Sequence, residues 1–107
     1  MLTVWSLIHI KNKVMKTEDI IKVLEYAKKE IINGQDFLCI CINDGMDYYG
    51  FDLLKNITDV IPEFNRQLAD EIVGTDHEYA VAWWNEKDKE PRIKFLDYLI
   101  DLYKKKL

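Results

Sequence analysis

The segment from Pro91 to Leu107 carries more apolar surface than one helix contact can cover. Its apolar residues form two stripes at helical spacing: Ile93, Leu96, Ile100, Tyr103 and Leu107 in one, and Phe95, Leu99 and Leu102 in the other. Pro91 suits the first turn of a helix, where a missing N–H group removes no hydrogen bond. We therefore predict a C-terminal helix that is covered on two sides, either within the chain's own fold or by a second copy in a homodimer.

Three further helical patterns precede this segment. The first has Thr17 as its predicted N-cap and ends at Asn33-Gly34. The second follows Asp52 and consists of Leu53, Leu54, Ile57, Val60 and Ile61. Pro62 stops this second helix and can itself begin the third, which continues to Gly74.

Two short apolar segments are compatible with either helix or strand. Residues 36–42 favour a helix slightly, because Asp36 can cap it and Asn43-Asp44-Gly45 would then break it, but their β-branched content keeps the strand open. Residues 79–84 are rich in strand formers or are an ordered connection. The fold prediction is therefore mainly α, with α+β as the alternative.

A chain of 107 residues can bury one modest core. We expect a compact single domain over residues 1–107, with four to five short helices and zero to three short strands. Met15 opens a stretch that resembles a natural protein start, so residues 1–14 are a candidate N-terminal extension.

The charge balance argues against a protein that binds nucleic acid directly. The chain has 15 basic and 19 acidic residues, a net charge of −4, whereas proteins held by phosphate contacts are usually basic. Residues 44–78 are strongly acidic, with only Lys55 and Arg66 as bases. Such a stretch is most simply a solvated face, and the alternative is that it attracts a basic partner.

The cysteines and the first residues indicate a cytoplasmic protein. Cys39 and Cys41 are one residue apart, which suits neither a redox motif nor a zinc site, so we interpret them as core thiols. The first ten residues are apolar but lack a basic start and a cleavage site, which excludes a signal peptide, and they are too short for a membrane span.

Few residues could support catalysis. Ser6 is the only serine and the histidines are His9 and His77. Cys39, His77 and Asp76 could formally supply a nucleophilic triad, but a cysteine in an apolar run is more often inert packing. The densest group of potential metal ligands is Asp70, Glu71, Asp76, His77 and Glu78, which is more simply a charged helix end and loop. No glycine-rich phosphate loop is present. We expect neither enzyme activity, nor a cofactor, nor a bound metal.

Two aromatic doublets are the best candidates for a binding surface. Adjacent side chains cannot face the same way, so one of Tyr48-Tyr49 and one of Trp83-Trp84 tends toward the surface. An exposed ring can stack on a base or anchor a protein partner, while Arg66 or Arg92 could hold a phosphate or carboxylate nearby. The alternative is that these rings are buried and pack in the hydrophobic core.

Four motifs resemble small bacteriophage and prophage proteins over residues 35–102. They are Leu38-Cys39-Ile40-Cys41, Ile61-Pro62-Glu63-Phe64-Asn65-Arg66, Ala82-Trp83-Trp84 and the segment from Pro91 to Ile100. Asn85 stands where the pattern usually has proline after Trp-Trp. The resemblance implies a phage accessory protein in the host cytoplasm, a class in which compact inhibitors of host defence are common.

The function predicted from these features is stoichiometric binding of a host protein, as an inhibitor, through the acidic middle and the exposed aromatics. One alternative is a sponge that sequesters a small nucleotide signal by stacking its base on the doublets. The other is a small metal-dependent hydrolase that uses the acidic group from Asp70 to Glu78.

Overall fold

The computed structural model describes residues 15–34, 37–51, 57–74 and 89–107. These residues form four α-helices and one short 3-10 turn, and no strand occurs among them. The elements are α1 (Thr17–Ile32), α2 (Leu38–Tyr48), the 3-10 turn (Ile57–Asp59), α3 (Arg66–Val73) and α4 (Lys89–Lys104). The prediction of a mainly α protein built from short helices is confirmed.

Helix α1 begins one residue earlier than the sequence predicts. Lys16 occupies the N-cap position and Thr17 is already helical. The Asp19 carboxylate accepts a hydrogen bond from the Lys16 backbone N–H at 2.9 Å, so an acidic side chain in the first turn satisfies the helix start. The predicted end is confirmed, because Asn33 is the C-cap and Gly34 follows with φ 107°.

Helix α2 confirms the preference for a helix over a strand, but Asn43-Asp44-Gly45 does not break it. The helix runs on to Tyr48, and the predicted cap Asp36 lies outside the described residues. Gly45 faces α1, where a Cβ atom would lie 3.0 Å from the Val23 carbonyl oxygen. Gly45 therefore allows two helices to approach closely. From the sequence alone, the same glycine was interpreted as a turn signal.

Two predictions around Pro62 are wrong for the residues that the structure describes. In the stripe before it, residues 57–61 form a 3-10 turn at Ile57–Asp59 and no α-helix, while residues 52–56 lie outside the described part of the chain. Pro62 lies in a turn and starts no helix. Helix α3 begins instead at Arg66, because the Asn65 side chain accepts a hydrogen bond from the Leu68 N–H at 2.9 Å. The predicted end at Gly74 is confirmed.

Helix α4 begins at Lys89, so Pro91 lies in its first turn as predicted. It packs against α1 and α3, and α1 also packs against α2. Both apolar stripes are largely covered within the chain, since Phe95, Leu96, Leu99, Ile100 and Tyr103 are all buried. Most of the apolar surface that suggested a homodimer is therefore buried by other elements of the same chain.

The described helices include none that is long and apolar enough to cross a membrane. The candidate extension 1–14 and the segment 79–84 lie outside the described residues.

Candidate functional site

Three tyrosines from α1 and α2 form one aromatic cluster, which we call the tyrosine surface: Tyr26, Tyr48 and Tyr49. The ring of Tyr48 stacks on that of Tyr26 with centroids 4.9 Å apart and an interplanar angle of 29°. Tyr49 meets both rings edge-on, at 5.0 Å from Tyr48 and 6.2 Å from Tyr26. These separations are those of favourable aromatic pairs, so the cluster is held together by its own contacts.

The three rings differ in exposure. Tyr48, at the last position of α2, is 67% exposed, whereas Tyr26 and Tyr49 are half-buried. This arrangement agrees with the prediction that one ring of the Tyr48-Tyr49 doublet faces the surface. Tyr48 is therefore an exposed ring whose position is fixed by contacts with two other rings.

A cleft of about 600 Å³ opens beside the tyrosine surface. The same three tyrosines line it together with Glu25, Lys29, Glu30 and Asn33 of α1 and the turn that follows. The α1 side of the lining therefore carries two carboxyl groups and one ammonium group. Its volume lies in the range of roughly 300–1,000 Å³ that small-ligand sites usually have.

Glu30 lies at the inner side of the cleft, where α1 meets α2. Burial, together with a hydrogen bond to the Asp44 carboxyl group, raises the pKa of Glu30. The negative charge of Asp44 also disfavours the charged form of Glu30, which adds to the rise in the Glu30 pKa. The Oε2 atom of Glu30 is buried and has no hydrogen-bond partner among the described residues.

Two further acidic groups, Tyr26 and Cys41, interact with Glu30. Partial burial and the Glu30 carboxylate raise the pKa of the Tyr26 phenol. Burial raises the pKa of the Cys41 thiol to about 12, and the nearby Glu30 adds to this rise. Both groups therefore stay protonated at neutral pH. The expectation of two core thiols agrees with the complete burial of Cys41, whereas Cys39 is only partly buried.

Arg92 corrects one predicted site residue. Its side chain is 1% exposed, so it cannot present a guanidinium group to a ligand at the surface. It lies on the inner side of α4, close enough to Cys41 for its charge to oppose the rise in the thiol pKa. The position follows from helix geometry, because Arg92 shares a face with Phe95, Leu96 and Leu99.

The other predicted residues are only partly assembled. Arg66 is exposed at the first position of α3, and it does not line the cleft. Trp83 and Trp84 lie outside the described residues, as do Asp76, His77 and Glu78. Among the described residues, no group of three or more His, Cys, Asp or Glu side chains could hold a metal ion.

Sequence reasoning missed Tyr26 and Glu30, which form the α1 side of the site. The available signal was their spacing, because residues four apart on a helix lie on the same face. Both residues belong to the edge of the helix between its buried stripe and its charged face. Such an edge becomes a site only when a second helix packs beside it.

Comparison with known proteins gives no relative. No protein-family model, curated protein or solved structure matches this chain.

Proposed function

We propose that this protein is a non-catalytic binding protein that holds a protein partner in a stoichiometric complex through the tyrosine surface. The observation that carries the proposal is Tyr48, which is 67% exposed and yet fixed by ring contacts at 4.9 and 5.0 Å. Tyrosine is enriched among the residues that dominate protein–protein binding energy.

Preorganisation strengthens this argument. An exposed side chain that is ordered on binding loses about 0.5–1.5 kcal/mol of conformational entropy. Because Tyr26 and Tyr49 already restrict the Tyr48 ring, part of this cost is met during folding. A partner therefore gains more from contact with Tyr48 than from contact with an isolated surface tyrosine.

The charge beside the ring favours a protein partner over a nucleotide. A nucleotide that stacks on Tyr48 would bring its phosphates toward a cleft lined by Glu25 and Glu30 and by only one cation, Lys29. Arg92, one of the two arginines proposed to hold the phosphate, is buried. A basic surface of a protein meets the opposite charge and would be attracted.

One further observation supports a role without turnover. The Cys41 thiol is fully buried and stays protonated, which makes it a poor nucleophile.

The resemblance to phage accessory proteins implies that the partner is a host protein and that binding inhibits it. We therefore propose an inhibitor of a host protein in the cytoplasm of a bacterial cell.

Site-specific photo-cross-linking tests this proposal. A photoreactive phenylalanine analogue replaces Tyr48 in one variant and Tyr98, a partly exposed tyrosine of α4, in the matched control. Irradiation of bacterial cells that express each variant should give one discrete cross-linked protein from position 48 and none from position 98. No product at position 48, or the same products at both positions, would overturn the proposal.

A further inference from the structure

We infer that the cleft beside the tyrosine surface receives an arginine side chain of the partner, with the guanidinium group between the Tyr48 ring and the carboxyl groups of Glu25 and Glu30. This inference rests on the proposed function and names the chemistry that the site recognises. It is carried by the juxtaposition of an exposed aromatic face, two carboxyl groups and a cleft of about 600 Å³.

The carboxyl groups provide two different contacts. Glu25 lies at the rim, with half of its side chain exposed, and its ion pair with Lys104 is long at 3.8 Å. An exposed pair of this kind contributes little free energy, so an incoming cation can replace Lys104 at small cost. Glu30 is less exposed than Glu25, and its carboxyl group adds to the acidic character of the cleft lining.

The aromatic side of the cleft favours arginine over lysine. A planar guanidinium group can stack on a tyrosine face and at the same time donate hydrogen bonds in its own plane to a carboxylate. The Tyr26 ring stacks on Tyr48 and the Tyr49 ring contacts it at right angles, yet Tyr48 remains 67% exposed. Lysine has a rounded ammonium group, which can satisfy the carboxylates but does not stack.

A second groove, between α1 and α4, is the main competitor for a cation. It is lined by Asp97, Asp101 and Glu25 among others, and it encloses about 420 Å³. Its Asp97 carboxylate already pairs with Lys28 at 2.7 Å, and its lining includes no aromatic ring. The cleft beside the tyrosine surface therefore offers a guanidinium group both a carboxylate and an aromatic ring, whereas the second groove offers carboxylates alone.

The test uses two peptides that differ only in charge. One is a capped pentapeptide, Gly-Arg-Gly-Arg-Gly, and the other carries citrulline, the uncharged isostere of arginine, at both arginine positions. Backbone amide shifts of the ¹⁵N-labelled full chain are followed during titration. We expect saturable shifts at Lys29, Glu30, Tyr48 and Tyr49 with the arginine peptide, and binding about fivefold weaker or more with the citrulline peptide.

Two variants localise the effect. Glu25→Gln should weaken binding of the arginine peptide by about threefold. Glu18 is an exposed residue of the same helix outside the cleft, so Glu18→Gln should leave this binding unchanged. Equal binding of both peptides, shifts centred on Asp97 and Asp101, or no saturable shift would each overturn the inference. A cross-link at position 48 in that case would leave the proposed function intact, so the two failures are distinguishable.

Discussion

The Val23 carbonyl oxygen of α1 lies 3.0 Å from the point that a Cβ atom on Gly45 of α2 would occupy. The same point lies 3.3 Å from the Cβ atom of Tyr26. Gly45 therefore sets the distance between the two helices that form the tyrosine surface. The packing that brings Tyr26 beside Tyr48 depends on the absence of one methyl group.

Replacement of Gly45 by alanine should destabilise the protein. Overpacking against a backbone carbonyl costs about 1–3 kcal/mol, which exceeds the roughly 1 kcal/mol that alanine gains over glycine in a helix. We expect a net loss of about 1 kcal/mol in the free energy of unfolding, measured by urea denaturation. A gain of similar size, as at an open helical glycine, would contradict the close packing of α1 and α2.

The Tyr103 hydroxyl donates a hydrogen bond to the Glu63 carboxylate and thereby connects α4 to the turn before α3. Tyr103→Phe removes this donor and should cost about 1–2 kcal/mol at neutral pH, because hydrogen bonds to charged groups are stronger than neutral ones. Tyr98→Phe, at a more exposed position of the same helix, is the matched control and should change stability by less than about 0.5 kcal/mol.

The cost of Tyr103→Phe should also depend on pH. Burial raises the pKa of Glu63, but hydrogen bonds from Tyr103, its own backbone N–H and Lys106 outweigh this and lower the pKa overall. A carboxyl group with a lowered folded pKa stabilises the fold above its unfolded pKa, and this stabilisation is lost as pH falls through the folded pKa. The melting temperatures of the parent chain and of Tyr103→Phe should therefore converge in acid. A difference in melting temperature that is constant with pH would contradict a hydrogen bond to a charged Glu63.

Glu30→Gln should have the opposite pH dependence. Because its pKa is raised, the folded chain binds more protons at Glu30 than the unfolded chain does, and stability falls as pH rises from the ordinary carboxyl value through the folded pKa. Glutamine does not titrate, so the variant should gain melting temperature relative to the parent over this window. A difference in melting temperature that shrinks or stays constant as pH rises would count against a raised pKa of Glu30.

The groups around Glu30 do not obscure this test. Its neighbours are Tyr26 of α1, Cys41 and Asp44 of α2, and, near Cys41, Arg92 of α4. The pKa values of Tyr26 and Cys41 are raised above already high values, and arginine stays charged. Asp44→Asn removes the other half of the pair and should shift stability in the same direction as Glu30→Gln.

Arg92→Ala tests the corrected position of this residue. Removal of a buried, paired charge typically costs about 3–5 kcal/mol, whereas loss of an exposed binding residue costs folding almost nothing. We expect a loss of about 3 kcal/mol or more in chemical denaturation. Lys94→Ala, an exposed position of the same helix, is the control, and equal effects of the two substitutions would argue for a surface arginine.

Sequence periodicity predicted the helices because their apolar stripes are strong and local. The stripes of α1 and α4 locate both helices to within about three residues, the largest difference being the end of α4 at Lys104 instead of Leu107. It failed where tertiary contacts reassign a local signal, as with Gly45, which is a packing residue, and Pro62, which lies in a turn. Single-residue chemistry carries no information on which neighbour a side chain will meet.

The candidate site was predictable only in half. Tyr48 and Tyr49 stand out as a doublet, but Tyr26 and Glu30 become site residues only because α2 packs beside them. Arg92 shows the reverse error, since arginine is rarely buried and its charge suggested exposure. Its neighbours Phe95, Leu96 and Leu99 on the same helix face were the available sign that it points inward.

The affinity of the protein captured by cross-linking at position 48 tests the central claim most directly. Titration calorimetry would compare the parent chain with Tyr48→Ala and with Tyr98→Ala. We predict that Tyr48→Ala weakens binding by about tenfold or more, as expected for a tyrosine that dominates an interface, while Tyr98→Ala stays within about twofold. Unchanged affinity in the Tyr48→Ala variant would contradict the account.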